Sequence, residues 1–359
     1  MTTGVGLIGC GFIGTFHSRN IRGLIRSEVV DASYQVVADL DGERAGRFAG
    51  LAGVDRWTTN TQEVIESPDV SAVYICTQTA GHKNLVLAAA AAGKAVFCEK
   101  PLAPNLADVR EMVEAVERAG VPNQVGLVLR YSPIFLVLKE LTNDPSLGRL
   151  MSAVFRDDQY FPITGQYAST WRGDHAQAGG GTMIEHSIHD LDMLRFFCGE
   201  PERVSALTRF FYEHDQVEDL AVATIEFEGG AVASLTSIWH GVSERNTRRH
   251  LELFYENGVF WVDDDFFGPI HYQTNDGGEG VVSDEEVRRR YQEMMGLEGE
   301  DWANALYRWT FEDYFFLKAL EEGTKPYPGF EVALEGHILA DAVYRSASLA
   351  GAPVELDRG

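Results

Sequence analysis

The stretch "GVGLIGCGFIGTFHSRNIRGLI", residues 4–25, decides the fold of the first part of this 359-residue chain. A short apolar run, 4–9, leads into a glycine cluster, after which apolar residues recur at helical spacing. This order of strand, turn and helix carries the pattern GxGxxG at Gly9, Gly11 and Gly14. The first glycine permits a tight turn, the second lets a pyrophosphate approach the backbone, and the third lets helix and strand pack closely. The stretch therefore predicts a dinucleotide-binding turn.

An acidic residue ends the next predicted strand, 34–39. Asp39 follows Gly14 by 25 residues, where a carboxylate can accept hydrogen bonds from both ribose hydroxyls of an adenosine and would repel a 2′-phosphate. Leu40 and Asp41 come next, and no arginine is adjacent in the sequence. NAD is therefore the expected cofactor, and NADP is less favoured. Two alternatives stay open: glycines that only allow a tight turn, and Asp39 acting as a cap for the following helix.

Strands and helices alternate through the first third of the chain. Apolar strand-like runs at 34–39, 71–78, 95–99 and 123–129 are separated by helical patterns at 41–53, 82–93 and 106–120. Strands this apolar are usually covered on both faces by crossover helices, as in a parallel sheet. The sequence thus predicts an NAD-binding, Rossmann-type α/β domain with a doubly wound parallel sheet over residues 1–125.

From about residue 150, long strand-like runs replace the alternation. These runs are 149–161, 203–212, 219–230, 231–241 and 249–262, and helical periodicity returns at 284–296, 302–323 and 330–351. Gly229 and Gly230 lie between two alternating runs, which is a hairpin signal. We expect a substrate-binding and oligomerisation domain of the α+β class over 126–359, with a large open, mainly antiparallel sheet. Its C-terminal helices can pack back on the first domain.

An open sheet usually buries its uncovered face in an oligomer. Aromatic residues are frequent in the strand-like runs after residue 200, among them Phe210, Phe211, Tyr212 and Trp239. The sequence therefore predicts a homodimer or homotetramer that forms through the C-terminal sheet.

The composition limits the classes of partner. The chain has 45% apolar and 23% charged residues, and 54 acidic against 30 basic residues give a formal charge of −24. Such a charge repels the phosphates of nucleic acids and anionic membranes, so neither is an expected partner. No run approaches the roughly 18 apolar residues of a membrane span, and the chain opens on a folded-domain motif and not on a secretion signal. Four cysteines lie in apolar runs without CxxC spacing, which indicates reduced, buried thiols and a cytoplasmic location.

A charged pair follows the predicted strand at 95–99. Glu99 and Lys100 stand at its carboxyl end, directly before Pro101. In a doubly wound sheet, ligands lie outside the carboxyl ends of the strands. An ammonium placed there could hydrogen-bond a substrate hydroxyl and assist its deprotonation. The alternative is a surface lysine beside a turn proline.

The stretch "GGGTMIEHSIHDLDMLRFF", residues 179–197, predicts a second site element. Its apolar spacing indicates one helix that carries Glu185, His189 and Asp192 on the same face. A carboxylate one turn from an imidazole also occurs in metal-binding helices, but neither HExxH nor a further ligand set is present, so no metal is expected. A structural role for His186 and His189 stays open.

Several stretches together resemble one known family. They are "GLIGCGFIG", "CTQTAGHKNLVLAAAAAGKAVFCEKPLA", "GLVLRYSP", "WRGDHAQAGGGTMIEHSIHDLD" and "ALEGHILADAVYRSASLAGAPVEL". This set resembles the Gfo/Idh/MocA oxidoreductases, the glucose-fructose oxidoreductase and inositol dehydrogenase family, over almost the whole chain. The resemblance implies an NAD(P) domain followed by an open-faced sheet domain, with a cis peptide bond between Lys100 and Pro101.

The resemblance also implies roles for individual residues. Lys100 matches the family's catalytic lysine, His189 matches a histidine assigned to acid/base work, and Glu185 stands where many members carry an aspartate near a substrate hydroxyl. The expected cofactor contacts are Gly9, Gly11, Phe12, Ile13, Gly14, Asp39, Leu40, Thr77, His82, Glu99 and Lys100. The expected substrate contacts are Arg130, Tyr131, Trp171, Arg172 and His186. For the first four of these substrate contacts, interdomain packing or ion pairing stays an alternative.

The expected function is reversible hydride transfer between NAD and a secondary alcohol of a sugar or cyclitol, such as an inositol-like polyol. Lys100 and His189 would share the proton of the hydroxyl. One alternative within the family is an elimination or glycoside cleavage that passes through a transient keto sugar and regenerates NAD. An alternative of another class is a redox-silent, NAD-binding sensor, against which the presence of both Lys100 and His189 argues.

Overall fold

The computed structural model describes residues 2–164, 167–275, 277–297 and 311–359. The chain forms two compact units, and neither is a single stretch of sequence. The first unit combines Met1–Val128 with Leu297–Leu334, and the second combines Leu129–Gly296 with Glu335–Gly359. The sequence places the domain division at 125/126 and assigns one continuous range to each domain, whereas the structure adds a late segment to the first unit.

The first unit is built on a parallel sheet. Its strands are β1 (Thr3–Ile8), β2 (Ala32–Ala38), β3 (Trp57–Thr58), β4 (Ala72–Ile75), β5 (Ala95–Cys98) and β6 (Asn123–Val125). Its helices are α1 (Phe12–Arg26), α2 (Gly42–Ala52), α3 (Thr61–Ile65), α4 (His82–Ala91) and α5 (Leu106–Ala119). The strand order β3-β2-β1-β4-β5-β6 is doubly wound and reverses between β1 and β4. The predicted Rossmann-type fold is confirmed.

Local sequence explains these elements. Strands β4 and β5 are buried at every position because helices cover both faces of the sheet. Asp41 is the N-cap of α2, and its side chain accepts a hydrogen bond from the backbone N–H of Arg44. Capping by Asp39, one of the alternatives left open by the sequence, is therefore excluded. Strand β3 and helix α3 escape prediction because elements of two and five residues carry too little periodicity.

The second unit contains a nine-stranded sheet. Its strands are β7 (Leu150–Tyr160), β8 (Pro201–Arg209), β9 (Leu220–Phe227), β10 (Val232–His240), β11 (Arg248–Tyr255), β12 (Gly258–Val262), β13 (Ile270–Thr274), β14 (Gly278–Val282) and β15 (Val354–Glu355). The strand order is β14-β13-β12-β11-β7-β10-β9-β8-β15. Strands β7 and β10 pair in parallel and the other pairs are antiparallel, which confirms the mainly antiparallel sheet. Gly229 and Gly230 lie in the β9–β10 hairpin as predicted, and the run 249–262 divides into β11 and β12.

The helices of the second unit are α6 (Pro133–Leu141), α7 (His175–Ala178), α8 (Thr182–Glu185), α9 (Ile188–Cys198) and α10 (Asp284–Met295). Later in the chain come α11 (Phe311–Glu322) and α12 (Phe330–Ser348). The predicted helix at 302–323 is described only from Phe311, and 302–310 lie outside the described residues. None of the helices in the described part of the chain combines the length and apolar character needed to cross a bilayer.

One prediction about the second unit is wrong. The single helix expected within 179–197 is broken, because the carbonyl of Thr182 accepts hydrogen bonds from the N–H groups of both His186 and Ser187. The hydroxyl of Ser187 also bonds that of Ser237 on β10, which holds the break in place. Glu185 therefore ends α8, while His189 lies in the first turn of α9.

The aromatic residues expected on the open sheet are placed differently. Phe210, Phe211 and Tyr212 follow the end of β8 and are 53%, 74% and 40% exposed. Trp239 is only 2% exposed, because it packs with Phe161 in a small apolar cluster. Trp239 is therefore not part of an exposed sheet face, and the assembly through the sheet stays a prediction.

Candidate functional site

The glycine turn lies between β1 and α1. Gly9 has a φ of +105°, a conformation that favours glycine. A Cβ on Gly14 would lie 1.9 Å from the carbonyl oxygen of Gly9, so helix and strand approach each other too closely for any other residue. Among the described residues, a Cβ on Gly11 would meet no atom within 4 Å, and no side chain caps the start of α1. The start of α1 therefore leaves room for a pyrophosphate, an anion that helix N-termini bind favourably.

Asp39 is held in a fixed orientation just beyond β2. One carboxylate oxygen accepts the N–H of Cys10 at 2.9 Å, and the other accepts the N–H of Asp41 at 2.9 Å and Nη2 of Arg44 at 2.7 Å. Burial opposes the charged form, but these hydrogen bonds lower the pKa of Asp39 below its ordinary value. The sequence shows no adjacent arginine, yet the first turn of α2 brings Arg44 back to this carboxylate.

These residues fit a dinucleotide. The open N-terminus of α1 suits the pyrophosphate and the oriented carboxylate of Asp39 suits a ribose. Two large apolar side chains flank them, Phe12 at 62% and Leu40 at 79% exposed. Exposed apolar side chains of this size at the carboxyl edge of a sheet match a ligand that covers them. The site would hold NAD through the glycine turn and Asp39.

The turn after β5 carries Lys100. The peptide bond between Lys100 and Pro101 is cis, as the family resemblance implied. Nδ1 of His82 lies 3.0 Å from the carbonyl oxygen of Pro101, and Nε2 lies 3.1 Å from that of Thr77. His82 thus joins the turns that follow β4 and β5. The proposed cofactor contacts of Thr77 and His82 stay predictions, while their structural role in fixing the Lys100 turn is visible.

Glu99 points into the protein from this turn. Its Oε2 accepts the N–H of Lys100 at 3.1 Å, and its Oε1 lies 2.8 Å from Nε2 of His17. Nδ1 of His17 lies 2.7 Å from Oδ1 of Asp313. Burial alone would lower the pKa of His17, but Asp313 and Glu99 raise it well above its ordinary value. Sequence reasoning missed this arrangement, since its only signal was a histidine on an apolar helix face.

Donor atoms of metal-binding type occur in this cluster. Ligand atoms of His17, Glu99 and Glu312 lie within 4.8 Å of one another. Both ring nitrogens of His17 already lie at hydrogen-bond distance from carboxylate oxygens, so the histidine has no lone pair directed at an empty position. We therefore interpret the group as a hydrogen-bonded charge cluster.

Glu185 is a buried carboxylate of the second unit. It ends α8, and its Oε2 accepts Nε of Arg172 at 3.0 Å. The guanidinium of Arg172 stacks on the ring of Trp171, with 4.4 Å between its central carbon and the ring centroid. Glu218 accepts the N–H groups of Gly181 and Met183 and thereby holds the start of α8. Three of the predicted site residues, Trp171, Arg172 and Glu185, are thus brought together.

His186 belongs to a different cluster. Its Nε2 lies 2.8 Å from Oδ2 of Asp157 and 3.2 Å from Nη2 of Arg249. Arg249 also donates from Nε to Oδ1 of Asp190 at 2.8 Å. Arg249 and Asp157 face each other across the pairing of β11 with β7. The sequence did not predict this group, because its members come from separate strands and a helix.

The guanidinium of Arg130 is engaged within its own unit. Its Nε and Nη2 donate to both carboxylate oxygens of Asp192 at 2.6 Å, and it lies over the ring of Phe196. Both members of the pair are buried. This is the ion pairing that the sequence left open as the alternative to substrate binding. Tyr131 and His189 are also buried, and their predicted roles stay predictions.

Comparison with known proteins identifies the family. Residues 3–127 match the model of the "oxidoreductase family, NAD-binding Rossmann fold", and 135–261 match the "GFO/IDH/MocA C-terminal domain". The chain is 31% identical over 266 residues to myo-inositol 2-dehydrogenase of Thermotoga maritima, covering 72% of this chain and 75% of that protein. It is 27% identical over 359 residues to inositol 2-dehydrogenase of Rhizobium meliloti, covering 97% and 98%.

A solved structure shares the fold along the full length. Levoglucosan dehydrogenase in complex with NADH and levoglucosan superposes with a TM-score of 0.86 at 23% identity, covering 100% of both chains. The glycine turn, the oriented Asp39 and the Lys100 turn agree with the sequence matches, and NAD is the cofactor. The chain therefore belongs to the Gfo/Idh/MocA family of NAD-binding oxidoreductases.

Proposed function

We propose that this oxidoreductase transfers a hydride reversibly between NAD and a secondary alcohol of a sugar or cyclitol, and that Lys100 and His189 share the hydroxyl proton. The observation that carries the proposal is the Lys100 turn. This turn stands at the carboxyl end of β5. Glu99 accepts the backbone N–H of Lys100, and His82 lies at hydrogen-bond distance from the carbonyl oxygen of Pro101. Relatives that act on inositols and a structural neighbour that acts on levoglucosan support the substrate class.

The proposed chemistry assigns one task to each residue. NAD, when bound, accepts the hydride that leaves the carbinol carbon. Lys100, in its neutral form, accepts the hydroxyl proton as the carbonyl develops and returns it in the reverse direction. His189 assists the same proton transfer. The glycine turn and Asp39 orient the cofactor and perform no chemistry.

Substrate hydroxyls would be recognised by the second unit. Glu185 is a buried acceptor whose orientation is fixed by Arg172, and His186 is oriented by Asp157. A site built from buried polar groups discriminates strongly against analogues that leave those groups without a partner. This supports a polyhydroxylated substrate over a simple alcohol.

The test begins with a screen for NADH absorbance at 340 nm with inositols, aldoses, anhydrosugars and their keto forms. With the best substrate, Lys100→Ala should lose at least about 100-fold in kcat while it still binds NADH. Lys83→Ala is the matched control, because this lysine pairs with two carboxylates elsewhere on the first unit. Full activity of Lys100→Ala would remove the mechanism. Turnover without net NADH would favour the elimination, and NAD binding without any turnover would favour the sensor.

We also propose a homodimer or homotetramer through the open sheet, in a cytoplasmic location. Apolar side chains on one face of neighbouring strands are exposed, namely Leu207 on β8, Val222 on β9 and Val232 on β10. Light scattering at micromolar concentration should give a dimer or tetramer, and Val222→Asp should weaken this assembly. A wild-type monomer would contradict the assembly.

The proposed location rests on the cysteines. The cysteines in the described residues are free thiols, which supports a reducing compartment. Cell fractionation tests the location.

A further inference from the structure

The buried cluster around His17 has no assigned role. His17 is fully buried in α1, between Asp313 at Nδ1 and Glu99 at Nε2. Each carboxylate is itself anchored: Asp313 accepts a second hydrogen bond from Asn20 at 2.8 Å, and Glu99 accepts the N–H of Lys100. The cluster therefore forms a continuous chain of hydrogen bonds from α11 through α1 to the Lys100 turn.

The geometry restricts the protonation states of His17 and its two carboxylate partners. A neutral imidazole has one N–H and one lone pair, so it can donate to only one of two carboxylates. Here both ring nitrogens meet carboxylate oxygens at 2.7 and 2.8 Å, which requires two N–H groups or a proton on one of the acids. Two charge-assisted bonds to an imidazolium satisfy all partners, and a buried carboxylate without a cation would be costly.

Several titratable groups around the cluster are neutral, so the imidazolium of His17 is the main positive charge that compensates Asp313 and Glu99. Tyr74 on β4, Cys76 directly after β4 and Cys98 on β5 interact electrostatically with carboxylates of the cluster, and burial raises the pKa of each well above its ordinary value, so all three are neutral. From α11, Glu312 contributes Oε2, which has no hydrogen-bond partner among the described residues. Burial raises the pKa of Glu312 well above its ordinary value, which keeps it protonated.

Lys100 is the remaining charged group. Its positive charge lowers the pKa of Glu99 and opposes the rise in the pKa of Glu312. Glu99 therefore interacts with two residues that carry positive charge: Oε1 lies at hydrogen-bond distance from His17, and Oε2 accepts the backbone N–H of Lys100.

We propose that His17 is the positioning residue of Lys100: as an imidazolium between Asp313 and Glu99, it holds the Glu99 carboxylate against the backbone N–H of Lys100 and satisfies its charge. The charge of Glu99 is then compensated by His17 and does not depend on the lysine side chain alone. This inference rests on the proposed function, because it assigns Lys100 to proton transfer. It adds a group that touches neither substrate nor cofactor.

Removal of the imidazole should change the charge state of Lys100. In His17→Gln one positive charge near Lys100 is lost and the negative charge of Glu99 acts on the lysine more strongly, which favours the charged lysine. For alcohol oxidation, the acid limb of the pH profile of kcat should therefore move to higher pH by about one unit. At neutral pH kcat should fall roughly 10- to 100-fold, while KM and the affinity for NADH change little.

The first experiment measures the charge of His17 without any substrate. Protein labelled with ¹⁵N-histidine and saturated with NAD is titrated from pH 6 to pH 9, and His17→Gln identifies the signals by difference. We expect both ring nitrogens of His17 to stay protonated at pH 8. A single neutral tautomer at pH 7, or a stoichiometric metal ion that a chelator removes, would overturn the proposal.

The second experiment measures the pH profile of turnover. If His17→Gln does not fold, Asp313→Asn replaces it, since the amide keeps the volume and removes one anion from the imidazolium. The control is Ile21→Val, a buried change one turn along α1 that alters stability without charge. The profile should move only in the first two variants. If a folded His17 variant has the same pH profile as wild type, the positioning role is refuted, even if Lys100→Ala is inactive. If Lys100→Ala is active, the proposed function is refuted, while the measured charge of His17 still holds.

Discussion

The strongest prediction about stability concerns two buried carboxyl groups. Asp157 on β7 and Asp190 on α9 are both fully buried, and each lies near Arg249. Burial and then the charge of Asp157 raise the pKa of Asp190 from 3.8 to about 7. Asp190 therefore keeps its proton at acidic pH. In Asp190→Asn, the amide can donate to Asp157 in place of that proton, while its oxygen still accepts from Arg249.

The sign and size of the expected change in stability follow from the difference in the number of protons bound by the folded and the unfolded protein. Between pH 3.8 and pH 7 the folded protein keeps a proton on Asp190 that the unfolded chain releases. The free energy of unfolding therefore falls as pH rises through this window and is level above it. Each pKa unit corresponds to about 1.4 kcal/mol, so the group costs up to about 4 kcal/mol at pH 8. The amide in Asp190→Asn does not titrate. The free energy of unfolding of the variant should therefore exceed that of wild type by up to about 4 kcal/mol at pH 8 and by little near pH 4.

The assay is urea unfolding, followed by tryptophan fluorescence at pH 5, 6, 7 and 8 with one m value for both proteins. The quantity to plot is the free energy of unfolding of Asp190→Asn minus that of wild type, since the titrations of groups outside this cluster cancel. Asp341→Asn serves as the control, because its pair with Arg345 on α12 is partly exposed and contributes little. A difference that stays constant from pH 5 to pH 8, or a variant less stable than wild type at pH 8, would refute the raised pKa of Asp190.

Three further changes test other parts of the molecule. Asp192→Asn leaves Arg130 buried beside a neutral amide, so urea unfolding should show a loss of about 3–5 kcal/mol at pH 6 and pH 8 alike; a loss below about 1 kcal/mol would contradict the assignment of a buried ion pair. Asp39→Ser frees Arg44 and removes the carboxylate that repels a 2′-phosphate, so the kcat/KM ratio of NADP to NAD should rise at least roughly 10-fold, and an unchanged ratio would place the selectivity elsewhere. Gly14→Ala places a Cβ 1.9 Å from a backbone carbonyl oxygen, so nucleotide fluorescence should show loss of NADH binding; normal binding would mean that the turn relaxes.

Features that depend on neighbouring residues were predictable. The glycine turn, the strand–helix alternation and the β9–β10 hairpin follow from periodicity and turn chemistry within about ten residues. The approach of Arg44 to Asp39 was accessible in principle, because the first turn of a helix capped by Asp41 points its side chains back toward the preceding strand. The contact was missed because Arg44 is not adjacent to Asp39 in the sequence.

Features that depend on distant residues were not predictable. His17 and Asp313 are separated by 296 positions, and no local pattern relates them. The break between α8 and α9 has a similar cause: apolar spacing favours one helix, but the buried hydroxyl of Ser237 on β10 offers Ser187 a competing hydrogen bond. Tertiary contacts thus overrode periodicity at the segment that carries Glu185 and His189.

The late segment of the first unit has a consequence for biosynthesis. Phe316 packs edge-on against Tyr74 and Phe97, both of which leave the ribosome more than 200 residues earlier. The nascent chain therefore carries the complete glycine turn while the aromatic layer beside it is still open to water. The nucleotide-binding half can reach its final packing only when translation is nearly finished, so a chain terminated at residue 296 would present those rings to chaperones or to other copies of itself.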